Sequence, residues 1–237
     1  GGFLILSKET HWLMGLAFAR QGHVVFNVDY RLAPDHPYPA AMQDCCEAYL
    51  WVLKNAEKFG GDPSRIVLAG ESAGANLALS VTLATVLERP EPWAKKVYDA
   101  GVVPLATLPA CGMLQVSDCE RFSRKRTLPT WLQDRLDEVA EAYLGDATAD
   151  SLADPLLVLE NLEKMPDRGL PPMFASVGTK DPLLDDTRRL EAAITRLGGV
   201  CDAKYYPGEI HAFHAFLWRK QARECWMDHF DFLDRHT

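Results

Sequence analysis

The chain has 237 residues, 48% of them hydrophobic, which is enough to bury one large core. Its formal net charge of −8 excludes nucleic acid and anionic membrane surfaces as natural partners. No apolar run approaches the roughly 18 residues that span a bilayer, and no basic stretch precedes a short apolar core near Gly1, so neither a membrane span nor a secretory signal is expected.

The predicted elements follow in chain order. "FLIL" is too short to assign. "HWLMGLAFARQG" has helical spacing and stops at Gly22, and "HVVFNVDY" is β-rich and predicts a buried strand. "RLAPDHPYPA" carries three prolines and predicts a stiff loop. "AAMQDCCEAYLWVLKNAEKFGG" is an amphipathic helix closed by glycines. "DPSRIVLAGE" predicts a turn and a strand, and "SAGANLALSVTLATVLER" a long helix of small residues. "AGVVPLATLPA" predicts a further strand region.

Residues 111–171 are polar, helical in places and poor in strand signals, and predict an inserted cap on a single domain spanning 1–237. "MFASVGTKD" then predicts a strand and "DDTRRLEAAITRLGG" a helix. "CDAKYYPG" predicts a strand, and the stretch from Ala212 to His236 a terminal helix. Alternation of strand and helix predicts an α/β fold, a mostly parallel sheet covered on both faces.

Six cysteines are scattered, at 45, 46, 111, 119, 201 and 225, with no C-x-x-C pair. That usage fits buried thiols in a reducing, cytoplasmic setting, and neither a disulfide framework, a metal centre nor a cofactor is expected.

Within "LAGESAGANLAL", Ser72 stands between Gly70 and Gly74, where an apolar run ends and a helix former begins. G-x-S-x-G at a strand-to-helix elbow lifts a serine hydroxyl clear of the sheet. Both glycines are expected to be required, because side chains there would collide as the backbone folds back. An ordinary strand-to-helix turn is the competing explanation until partners are found, and the apolar run before and the helix former after weigh against it.

Serine needs a base, and the base needs an orienting acid. Asp181 follows the strand in "SVGTKDPLLDD", and His211 follows the strand in "YYPGEIHAFHAF". All three would project from the carboxyl end of one sheet, where such folds build their sites. Asp185 and Asp186 compete for the acid role, but Asp185 reads as a helix N-cap. His214 competes with His211 and reads as a packing or surface histidine in the terminal helix. Ala73, after the serine, and the opening glycines, Gly1 and Gly2, are candidate oxyanion donors.

The segments "GGF", "YRLAPDHPYPA", "GESAG", "DPLLD" and "HAF" together resemble the hormone-sensitive-lipase family of α/β-hydrolase carboxylesterases. Departures are Asp35 where Glu is usual, Glu71 where Asp is usual, and Ala212 where Gly is usual. The resemblance implies Ser72 as nucleophile, His211 as base and Asp181 as acid, with Gly1, Gly2 and Ala73 forming the oxyanion hole. It also implies N-terminal strands and cap helices ahead of Gly1, and a possible homodimer through the last strand and terminal helix. A small or medium acyl ester is the expected substrate. An amidase or peptidase on the same fold, and a ligand-binding receptor on a hydrolase scaffold, are the alternatives. Met113, Leu114, Phe122, Leu128 and Trp131 either line an acyl pocket or pack the cap on the body.

Overall fold

The structure, a computed structural model, describes residues 1–125, 128–145, 147–148 and 151–237. Parts of the 111–171 excursion (126–127, 146 and 149–150) therefore lie outside the described residues.

Four strands form one parallel sheet in the order of the chain: β1 Val67–Glu71, β2 Ala106–Ala110, β3 Met173–Gly178 and β4 Cys201–Tyr206. The register sets Val67 beside Ala106, Thr107 beside Met173, and Met173 beside Cys201. β2 and β3 are buried throughout, as a parallel sheet covered on both faces requires.

Alternate side chains serve the two faces. Met173 and Ala175 join the main core under α3 (Ala73–Val86) and α8 (Leu184–Arg196), while Leu108 and Phe174 face Phe232 and Leu233 of α9 (Lys220–His236). α3 is buried almost all round, and its small residues let it lie close to the sheet. A hydroxyl pair, Thr82 Oγ1 to Thr107 Oγ1 at 2.7 Å, ties it to the sheet.

The other helices before the excursion are α1 (Trp12–Ala19), α2 (Ala40–Asn55) and α4 (Pro92–Asp99). α2 ends through a 3₁₀ turn at Gly60, whose φ of 82° only glycine adopts readily. α4 was not anticipated: eight residues carry too short a stripe to register, though Pro92 at its first turn is a helix-start signal.

Two expectations fail. "HVVFNVDY" forms no strand, and Val24, Val25 and Val28 are exposed. β propensity needs a ladder neighbour, and among the described residues the sheet ends at β1. The segment instead lies along residues 7–10, with Asn27 Nδ2 donating to the Lys8 carbonyl at 3.1 Å. The terminal helix starts at Lys220 and not at Ala212, because Ala212 takes a left-handed conformation (φ 55°) that opens a 3₁₀ turn over Phe213–Ala215.

The excursion between β2 and β3 carries α5 (Arg121–Lys125), α6 (Thr130–Leu144) and α7 (Pro155–Asn161). Buried carboxylates stitch it down. Asp186 accepts the Leu114 and Gln115 N–H groups at 3.0 and 3.2 Å and pairs with Arg121 at 2.7 Å. Asp154 accepts the N–H groups of Val116 and Ser117. Met113, Leu114 and Phe122 are core residues, Leu128 packs against that core, and Trp131 is 70% exposed, so packing accounts for most of this set.

Candidate active site

Each site residue follows the end of a strand. Ser72 lies between β1 and α3 with φ 56° and ψ −113°, a strained strand-to-helix elbow. Its backbone is held from both sides: its N–H donates to the Ala110 carbonyl at 2.9 Å, and its carbonyl accepts from Asn76 and Met113 at 3.2 and 3.3 Å. The two flanking glycines differ. A Cβ on Gly70 would meet the Gly74 carbonyl oxygen at 2.1 Å, whereas one on Gly74 would meet nothing within 4 Å. Only Gly70 is sterically required, which corrects the expectation for the pair.

Asp181 is fully buried just beyond β3. Its Oδ1 accepts the Leu183 N–H at 2.8 Å, and its Oδ2 lies 2.9 Å from His211 Nδ1. His211 follows β4, and its Nε2 lies 3.1 Å from Ser72 Oγ. The loop before it is clamped to the Asp181 turn: Lys180 N–H donates to the Glu209 carbonyl at 2.9 Å, and Gly178 leaves room for that carbonyl where a Cβ would sit 2.2 Å away. With Nδ1–H directed at the carboxylate, Nε2 is the free lone pair facing the serine hydroxyl.

Burial alone would lower the His211 pKa. The Asp181 carboxylate bonded to Nδ1 favours the imidazolium and shifts the pKa upward from its ordinary 6.5. Burial pushes the Cys111 thiol up, away from thiolate. Cys111, in a left-handed conformation at the end of β2, escaped notice in the sequence because no spacing signal links it to His211.

Cys111, Asp181 and His211 bring three potential metal-ligand atoms within 4.8 Å of one another. The Asp181–His211 separation of 2.9 Å is that of a hydrogen bond, whereas two donors on one tetrahedral zinc stand about 3.3 Å apart or more. The geometry fits a proton-sharing pair and not a metal cage.

The remaining candidates fall as follows. Asp186 is spent on the excursion, and Asp185 sits in the first turn of α8, paired with Arg188 at 3.2 Å. His214 is buried in the 3₁₀ turn, with its Nε2 2.8 Å from Glu71. His11, given no weight from the sequence, comes within 3.9 Å of the same carboxylate. Ala73 is the first residue of α3, where a backbone N–H has no intrahelical acceptor. Gly2 has φ 61°, and a Cβ there would strike Val139 at 2.8 Å, while the Gly1 carbonyl accepts the Leu4 and Ile5 N–H groups at 3.3 Å each. Phe3 anchors this turn by stacking on Tyr143 at 3.7 Å.

The family model for the alpha/beta hydrolase fold matches residues 1–215. Carboxylesterase NlhH of Mycobacterium tuberculosis is 30% identical over 221 residues, covering 91% of this chain and 65% of that protein. Versiconal hemiacetal acetate esterase of Dothistroma septosporum is 34% identical over 221 residues, covering 90% of this chain and 64% of its own length. The chain thus spans just under two thirds of these curated relatives. Among solved structures, esterase LipW from Mycobacterium marinum superposes with a TM-score of 0.81 at 27% identity, covering 99% of this chain and 70% of that one. With the elbow, the sheet order and the matching motifs in place, the chain belongs to the α/β-hydrolase fold family, in its hormone-sensitive-lipase branch.

Proposed function

We propose that the chain is a serine carboxylesterase acting on short- to medium-chain acyl esters. One observation carries the reading: the His211 ring bridges Ser72 Oγ and the buried Asp181 carboxylate at 3.1 and 2.9 Å. His211 Nε2 removes the hydroxyl proton as Ser72 Oγ attacks the ester carbonyl carbon. Collapse of the tetrahedral adduct expels the alkoxide, which takes that proton from His211. Water, deprotonated by the same nitrogen, then attacks the acyl-enzyme and releases the acid. Asp181 holds the tautomer and stabilises the imidazolium. Gly1, Gly2 and Ala73 supply the backbone N–H donors for the oxyanion.

The names of the relatives, a carboxylesterase and an acetate esterase, support ester over amide and a short acyl group. No helix among the described residues is long and apolar enough to cross a membrane. The six free thiols fit a cytoplasmic setting, and β4 with α9 is the face on which a homodimer would form.

Ser72→Ala tests the assignment. It should lower kcat on a chromogenic short-chain ester by about 10³-fold or more with melting unchanged, and abolish labelling by a fluorophosphonate. Near-normal turnover by the variant, or equal turnover of a matched amide by the wild type, would contradict the reading.

A further inference from the structure

Glu71 directly precedes the nucleophile, and its carboxylate is largely enclosed, with the side chain 18% exposed. Burial alone would push its pKa up; the imidazoles of His214, 2.8 Å away, and His11, 3.9 Å away, reverse that and hold it well below the ordinary carboxylate range. The His214 side chain is 3% exposed and places Nε2 2.8 Å from Glu71 Oε2, while its Nδ1 has no partner. The ring therefore meets the Glu71 carboxylate through Nε2. The backbone of His214 is tied down as well: its carbonyl accepts the Trp226 indole N–H of α9 at 3.0 Å.

This pair joins two segments that must keep their spacing. Glu71 is one residue before Ser72, and His214 is three residues after His211. Asp181 orients the His211 ring from the β3 side through Oδ2, while its Oδ1 accepts the Leu183 N–H. The direct tie between the elbow and the turn that follows the base is Glu71–His214, continued through Trp226 into α9. Burying a carboxylate and an imidazole is costly for stability, and retaining them is better explained by what they hold in place.

We propose that Glu71 and His214 are positioning residues that set the Ser72–His211 distance. The inference rests on the esterase reading above. It is tested by comparing His214→Leu, which removes the N–H, with His214→Gln, which keeps one. Fluorophosphonate titration counts reactive serines, and kcat is expressed per reactive serine. H214L should lose roughly 10- to 100-fold in kcat with KM within about threefold, the scale of an ångström-sized misplacement, and H214Q should recover most of the loss. Equal kcat per reactive serine in the two variants, at wild-type level or below it, overturns the inference, since a merely structural role would not separate them. If H214L fails to fold, Glu71→Gln, which keeps an acceptor, is compared with Glu71→Leu in the same assay, and equality there overturns it too. A wild-type chain that takes no label at Ser72 overturns the hydrolase reading and this inference together. A labelled wild type with indistinguishable variants overturns this inference alone.

Discussion

Gly70→Ala and Gly74→Ala change the same motif by one methyl group each, and the geometry predicts opposite results. The methyl at 70 would stand 2.1 Å from the Gly74 oxygen and 2.7 Å from the Ala75 nitrogen, both backbone atoms that cannot swing away. Restoring ordinary contact requires β1 and the start of α3 to part by about 1 Å, at a cost of roughly 2–3 kcal/mol of overpacking strain. For a chain of this length that lowers Tm by about 5–10 °C. The displaced unit carries Ser72, so kcat should fall on the order of 10²-fold. The methyl at 74 enters open space within α3, where replacing glycine stabilises by about 0.4–1 kcal/mol. Its kcat should stay within a few fold of wild type. The assay is paired: Tm by calorimetry, and kcat on a p-nitrophenyl ester after counting reactive serines. Equal losses in the two variants, or a harmless G70A, would refute the steric account of the elbow.

Asp181→Asn should lower kcat by about 10⁴-fold through loss of the correct tautomer. It should also move the acidic limb of the residual kcat/KM profile to lower pH. The base must be unprotonated, and Asp181 is among the groups that raise the His211 pKa above 6.5, so removing it lets protonation begin later on acidification. An unmoved limb would show that the limb reports another group. His229 is buried and held neutral, its pKa brought down by burial to about 3, with Nδ1–H donating to the Cys225 carbonyl at 2.7 Å. Stability is therefore undiminished above pH 6.5. It falls on acidification toward 3, by up to about 1.4 kcal/mol per pH unit, because only the unfolded state takes the proton. Denaturant titrations from pH 7 to 4 should show a shallower slope in His229→Gln. Arg121→Met strips Asp186 of its closest cation and should cost about 3 kcal/mol in urea unfolding; a change below 1 kcal/mol would mean that Arg189, 3.8 Å away, suffices.

That Ser72, Asp181 and His211 would meet was legible because each follows an apolar β-rich stretch, and parallel strands deliver their ends to one side. The sheet and its helices on both faces were legible for the same reason. The identity of Glu71's partners was not. It depends on Ala212 taking a left-handed φ, which breaks the helical pattern through His214 and turns that ring inward, and nothing local in "HAFHAF" announces this. The difference between Gly70 and Gly74 was equally hidden, since it follows from how α3 folds back over β1. "HVVFNVDY" misled because strand propensity says nothing about whether a neighbour is present to pair with.

Asn76, buried one turn beyond Ser72, donates through a single amide to the carbonyls of Met113 and Ala153 at 2.9 Å each. Met113 follows the end of β2 and Ala153 lies just ahead of α7, so one side chain acts as a gatepost for the residues inserted between them. A graft that exchanges residues 118–150 for another sequence would leave the gatepost untouched. Such an exchange would have to retain Tyr143, on which Phe3 and the opening turn stack.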